Sequence, residues 1–200
     1  TETPWPIAFE HLGRELAAGR IARDDVDDAV RRVLRVKMQL GLFEHPYADP
    51  DEAARVNDCP QHRTLAREVC RASIVLLRND RSLLPLPLSL RRIAVIGPNA
   101  ATARTGGYSG SGVRTVSVLE GIRNLTRARS DVQYAEGCTV KGMSRAGFTA
   151  ALRAARKSDV AVLVMGNHSD LWIRPDASEG EGNDRSSLEL PGVQEDLIEA

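Results

Sequence analysis

Residues 92–97, RIAVIG, and residues 160–166, VAVLVMG, decide the fold. After Arg92 in the first, each is an unbroken apolar run, rich in β-branched residues, that ends in glycine. Such runs suit parallel strands buried on both faces; a half-exposed antiparallel strand would alternate. Between them, Ser117 and Glu120 stand in capping-box spacing and open a short helix with Leu119, Ile122 and Leu125 inward. Residues 132–135, VQYA, read as a further strand and residues 145–157 as a further helix. The alternation predicts an α/β fold with a parallel sheet.

Working outward, residues 23–40 read as a helix. Four aspartates crowd its first turn, and Arg31, Arg32, Arg35 and Lys37 follow in its later turns, both favourable to the helix dipole. Val26, Ala29, Val30, Val33 and Leu40 recur at helical spacing, so one face must pack on something, and little in the next stretch could cover it. Residues 45–60 are polar and turn-rich and read as a linker. A second helix is expected over residues 61–78, burying Leu65, Val69, Ala72 and Leu76, before the proline-punctuated LLPLPLSL of residues 83–90.

The chain of 200 residues carries 27 Lys+Arg against 27 Asp+Glu and is 42% apolar, as in ordinary globular domains. Zero net charge argues against a nucleic-acid binder driven by phosphate neutralisation, and no apolar run reaches the roughly 18 residues of a membrane-spanning helix. Cys59, Cys70 and Cys138 form no CxxC pair and no metal-ligand pattern. Residues 1–13 lack the basic start and apolar core of a signal peptide. The compartment is left open, secretion or the periplasm being preferred to the cytoplasm.

The net zero is uneven. Residues 176–200 contain eight acidic side chains and one basic, Arg185, for a net −7, which leaves +7 on the other 175 residues. Much of this acidic pole lies in residues 167–190, a 24-residue stretch without helical or strand period that leaves the carboxyl end of a parallel strand. Long irregular connections are usually functional or disordered, and open α/β sheets bind ligands at their strand ends. His168 sits there beside Asp170 as a candidate polar contact, and Trp172 reads either as a stacking platform or as an anchor for the loop. Glu179 and Glu181 flank Gly180, with Asp184 nearby. That grouping offers a mobile carboxyl for proton transfer or, equally, a solvated turn. Residues 106–112, GGYSGSG, satisfy neither phosphate-loop nor nucleophile-elbow spacing and read as a glycine-rich loop whose backbone can approach a ligand, or as a plain turn. Pro191 is expected to open a last helix as its first residue.

The succession AREVCRASIVLLRND, RRIAVIGPNA, GGYSG, TVSVLEGI, VQYAEGCTV, SDVAVLVMG and EGEGNDRSSLELPGVQEDLI resembles glycoside hydrolase family 3, the β-glucosidase and β-xylosidase family, over residues 20–200. The resemblance implies a (β/α)8 barrel followed by a linker and an α/β sandwich, with the active site between them. Residues 1–44 would be the C-terminal end of the barrel, 45–90 the linker and entry helix, and 91–200 a three-layer sandwich with a mainly parallel sheet, cut short at Ala200. Residues 179–185, EGEGNDR, match the family's E-x-E-G-x-D-R context. That implies Glu181 as general acid/base, with Glu179 as second choice, and Asp184 and Arg185 as a structural pair holding the loop.

The family's nucleophile is a barrel aspartate in an S-D-W context, which this chain does not contain. Ser169-Asp170-Leu171-Trp172 has an inserted leucine and follows a sandwich strand, so it is not read as that motif. The implied function is a share in a retaining exo-acting β-glycosidase, β-glucosidase preferred over β-xylosidase or N-acetyl-β-glucosaminidase. A non-catalytic sugar- or nucleotide-binding module is the rival. The expected partners are an oligosaccharide or glycoside substrate and a barrel domain of the same polypeptide. No nucleic acid, membrane, metal or cofactor is expected, and a homo-oligomer stays open.

Overall fold

The computed structural model describes residues 9–110, 112, 114–170 and 176–200. The chain divides into two compact units, Thr1–Ile74 and Val75–Ala200. The first is helical: α1 (Leu12–Ala17), α2 (Arg23–Gln39), α3 (Pro50–Val56) and α4 (Pro60–Ser73). Helix α3 stands inside the stretch expected to be turn-rich. Its signal was present in D-P-D-E: the Asp49 carboxylate accepts from the amides of Asp51 (2.9 Å) and Glu52 (3.3 Å), and Pro50 takes the first turn. Helix α4 ends five residues earlier than expected, with Ile74 already extended. Leu65, Val69 and Leu76 are exposed, not buried. Helix α2 likewise has no buried residue; Leu12, Ile21, Val26, Val30 and Val33 line an open apolar groove of about 520 Å³.

The second unit contains β1 (Arg92–Ile96), α5 (Val118–Thr126), β2 (Asp131–Ala135), α6 (Phe148–Arg156), β3 (Val160–Leu163) and α7 (Gln194–Glu199). The sheet is parallel, in the order β2-β1-β3, with Ile93 opposite both Val132 and Val160. Because successive side chains alternate faces, β1 feeds two cores. Ala94 and Ile96 pack with Ala151, Ala154, Val193 and Leu197 from α6 and the α7 region. Ile93 and Val95 pack with Ala100 and with Leu119 of α5. Helices on both faces make the three layers expected of the α/β sandwich.

Three local expectations change. Only β1 is buried on both faces: β3 is an edge strand among the described residues, with Ala161 and Leu163 exposed. In α5, Ser117 Oγ accepts from the Glu120 amide (3.1 Å), but the Glu120 carboxylate faces Arg114 and Leu125 is 62% exposed. A nine-residue helix turns Leu119 and Ile122 to the sheet and carries Leu125, past them, to the solvent side. Finally, α7 starts at Gln194; Gly192 and Val193 form a turn before it, and Pro191 stands ahead of that turn and is not the helix's first residue.

The central strand β1 and the strand β3 beside it are tied at their start by one carboxylate. Asp159 accepts from the Arg91 and Arg92 amides (3.0 Å each) and from the Arg92 guanidinium (3.1 Å). The Arg92 amide first, then its guanidinium, hold Asp159 below its ordinary value. A depressed carboxylate stabilises the fold above its unfolded pKa and loses that contribution as pH falls through the folded value. Asp159→Asn is therefore expected to lower Tm at pH 7, the gap to wild type closing on acidification below about pH 4; a constant gap would contradict this. Ile96→Ala, in the strand that serves both cores, is expected to cost about 2–5 kcal/mol in denaturant unfolding.

Candidate functional site

Strand β1 is followed in the chain by β2 on one side of it, and β3 is added on the other. The order therefore reverses between β1 and β3, and the crevice outside the carboxyl ends of strands at such a switch point is where open α/β sheets bind ligands. Two loops leave there, and they are joined: Asn99 Nδ2 donates to the Asn167 carbonyl (3.4 Å), while Asn99 Oδ1 accepts from Arg104 Nε (2.5 Å). In the first of these loops residues 106–109 form a turn closed by the Ser109 amide on Gly106 O (3.2 Å), with Tyr108 exposed.

The second loop has a built base. Ser178 and Glu179 donate their amides to His168 O (2.8 and 3.3 Å), the Asp170 amide donates to Glu179 O (3.2 Å), and Ser169 and Glu179 form an isolated parallel bridge. The buried Ser178 hydroxyl accepts from the His168 amide (2.8 Å) and lies 3.1 Å from Asn167 Oδ1. Above this base the chain makes one tight turn, Gly180 O accepting from the Asn183 amide (3.0 Å). Glu181 occupies its leading corner. Gly182 follows at φ +76°, the left-handed position that a type II turn assigns to glycine. Gly180 itself has φ +126°, and a Cβ there would run into Asp170 O.

This geometry separates the two glutamates. Glu179 is half-buried, with both its backbone groups bonded into the base, whereas Glu181 is exposed on the turn. His168 is nearly buried, and its ring Nδ1 faces the Asp176 carboxylate (3.1 Å) and carbonyl (3.3 Å) and not its sequence neighbour Asp170. Asp170 is half-buried and joined to Glu179 through the backbone. Trp172 lies outside the described residues.

Arg185 holds the loop, but not by pairing with Asp184. Its guanidinium donates to Asn167 Oδ1 (2.6 Å), Ser187 O (3.1 Å) and Glu189 O, and Asp184 is exposed and absent from these partners. Asn167, Ser178 and Gln194 were not singled out from the sequence. The one available signal was for Gln194, a polar residue at core spacing between Val193 and Leu197. Cys138 is no rival nucleophile: burial, helped by the Glu136 charge, pushes its thiol up.

A model of the glycosyl hydrolase family 3 C-terminal domain matches residues 74–200. The chain belongs to glycoside hydrolase family 3. Among family members, it is 39% identical over 184 residues to a beta-xylosidase of Formosa agariphila, covering 88% of this chain and 24% of that protein. It is 34% identical over 220 residues to a periplasmic beta-glucosidase of Salmonella typhimurium, covering 96% of this chain and 28% of that protein. A solved β-glucosidase structure from Erythrobacter marinus superposes with a TM-score of 0.77 at 31% identity, over 94% of this chain and 28% of its own. The chain thus spans about a quarter of the length of these family 3 relatives.

Arg185→Ala would leave Asn167 Oδ1 without its charged donor, and bonds to charged groups contribute about 1.5–3 kcal/mol. Local opening is expected to become about ten- to a hundredfold easier, read as faster hydrogen exchange at the Ser178 and Asn183 amides, with β1 amides unchanged. Arg185→Lys should resemble the alanine variant, because a point ammonium cannot span three separate acceptors in the guanidinium plane.

Proposed function

We propose that this chain is the second-domain part of a retaining, exo-acting β-glycosidase, a β-glucosidase by preference, that removes terminal non-reducing β-linked sugars. Residues 1–44 are read as the end of a (β/α)8 barrel, 45–90 as linker and entry helix, and 91–200 as the sandwich. Glu181 is the general acid/base and Glu179 the second choice. The nucleophile and most of the sugar-binding residues come from a barrel outside this chain.

The observation that carries the reading is the placement of Glu181. It stands on an exposed glycine-flanked corner, above a hydrogen-bonded base, in a loop that leaves the switch point of the sheet. A carboxyl that serves another domain's nucleophile must project from a rigid support and still be free to approach the leaving oxygen; the Gly180–Asn183 turn offers both. Double displacement requires two carboxyl groups about 5–5.5 Å apart. In the first step Glu181 gives its proton to the glycosidic oxygen while the nucleophile attacks the anomeric carbon. In the second, its carboxylate takes a proton from water, which attacks the same carbon and releases the sugar with its configuration retained.

A β-xyloside is the second reading, favoured by the 39% identity to a protein named beta-xylosidase. Glucose and xylose differ by one hydroxymethyl group, so the ratio of kcat/KM for matched aryl β-glucosides and β-xylosides decides between them.

Glu181→Ala in the full-length polypeptide is expected to lower kcat/KM about 100- to 10,000-fold on glycosides with poor leaving groups. Dinitrophenyl glycosides should be far less affected, and azide should restore their turnover through a β-glycosyl azide. Unchanged hydrolysis of poor leaving groups would remove Glu181 from the mechanism. Turnover by isolated residues 1–200 would contradict the need for an outside nucleophile, whereas sugar binding without turnover by the full-length polypeptide would favour the binding module.

A further inference from the structure

Gln194 is fully buried, yet its neighbours on the core side, Val193 and Leu197, are apolar. Its carboxamide is bonded throughout to backbone. Oε1 accepts from the Gly166 amide (2.8 Å), and Nε2 donates to Gly166 O (3.0 Å), Val140 O (2.9 Å) and Pro191 O (3.2 Å), two protons being shared among three carbonyls. The pairing with Gly166 engages both of its backbone groups, as a neighbouring strand would. Gly166, three residues past β3, immediately precedes the 167–190 loop, Pro191 immediately follows it, and Val140 belongs to the connection after β2. One side chain therefore bonds both ends of the loop and the fixed framework beside them. A leucine of similar size would fill the space, but it would leave these peptide groups buried and unpaired.

We propose that Gln194 is a positioning residue for the acid/base: by clamping both ends of the 167–190 loop it sets where the turn bearing Glu181 stands over the carboxyl end of the sheet. This rests on the reading of Glu181 given above. A displacement of about 1 Å at a reacting group is enough for a loss on the order of a hundredfold.

The test compares Gln194→Leu with Glu181→Ala in the full-length enzyme, on aryl glycosides spanning good and poor leaving groups. Gln194→Leu is expected to lower kcat/KM about ten- to a hundredfold for poor leaving groups, where proton donation matters, with little loss for dinitrophenyl glycosides and little change in KM. Gln194→Glu keeps the shape and, when protonated, one donor, so it should recover activity towards acid pH, which Gln194→Leu should not. Equal losses on all leaving groups, or none, would overturn the proposal. If Glu181→Ala itself lacks the leaving-group dependence, the acid/base reading fails; if it shows the dependence and Gln194→Leu does not, only the clamp fails. Should the variants not fold, hydrogen exchange of the wild-type enzyme decides. The amides at 166–168 and 193–194 should exchange together and far more slowly than those at 181–184, and equal rates would refute the clamp.

Discussion

The backbone of β1 is paired along both edges, to β2 and β3, while its side chains alternate into two separate cores. A strand in that position has no freedom left. Its register is fixed because a slip of one residue would exchange the α5 face for the α6 face, and its carboxyl end marks where neighbouring loops emerge. Ala94 and Val95 have no exposed surface, and the small Ala94 lets α6 approach through Ala151 and Ala154. The sheet is thus a rigid floor, and the functional loop is built on one end of it.

That loop is held by a different kind of force. Residues 167–190 contribute little apolar burial among the described residues, Ala177 being the exception. Fixing a backbone costs about 1–2 kcal/mol per residue, so the described part of the loop depends on polar bonds for its order. Asn167, Ser178, Arg185 and Gln194 concentrate those bonds at the base and the two ends. The Gly180–Asn183 turn is tied back by its own bond and by the Asn183 side chain on Ala177 O (3.2 Å). A rigid base with an exposed carboxyl at the corner suits a proton donor that must serve chemistry outside its own domain.

The acidic pole acquires a similar division. Asp176 faces His168, Glu195 accepts from the Leu190 amide (2.9 Å), and Asp196 pairs with Arg145 (2.5 Å), so part of the −7 is used to hold the loop and α7. The helices of the first unit show the opposite case, an apolar groove left open. Helix α2 buries none of its residues, which is in keeping with the proposal that residues 1–44 end a barrel.

Features that depend on local periodicity were legible in the residues alone. They include the strand–helix alternation, α2 with its charge gradient, the irregular 167–190 loop and the glutamates within it. Capping chemistry was legible too and was underread at Asp49-Pro50, where a helix stands in the supposed linker. An α/β sheet with an acidic loop at a strand end could be read from the residues, because hydrophobic period and charge are properties of neighbours in the chain. Folding alone establishes that β3 is an edge among the described residues, that Glu179 is locked while Glu181 projects, that Arg185 answers Asn167 and not Asp184, and that Gln194 bonds both ends of the loop. Each of those depends on partners brought together by folding, as far apart as Gln194 and Val140, 54 residues away, and no local pattern encodes such a meeting.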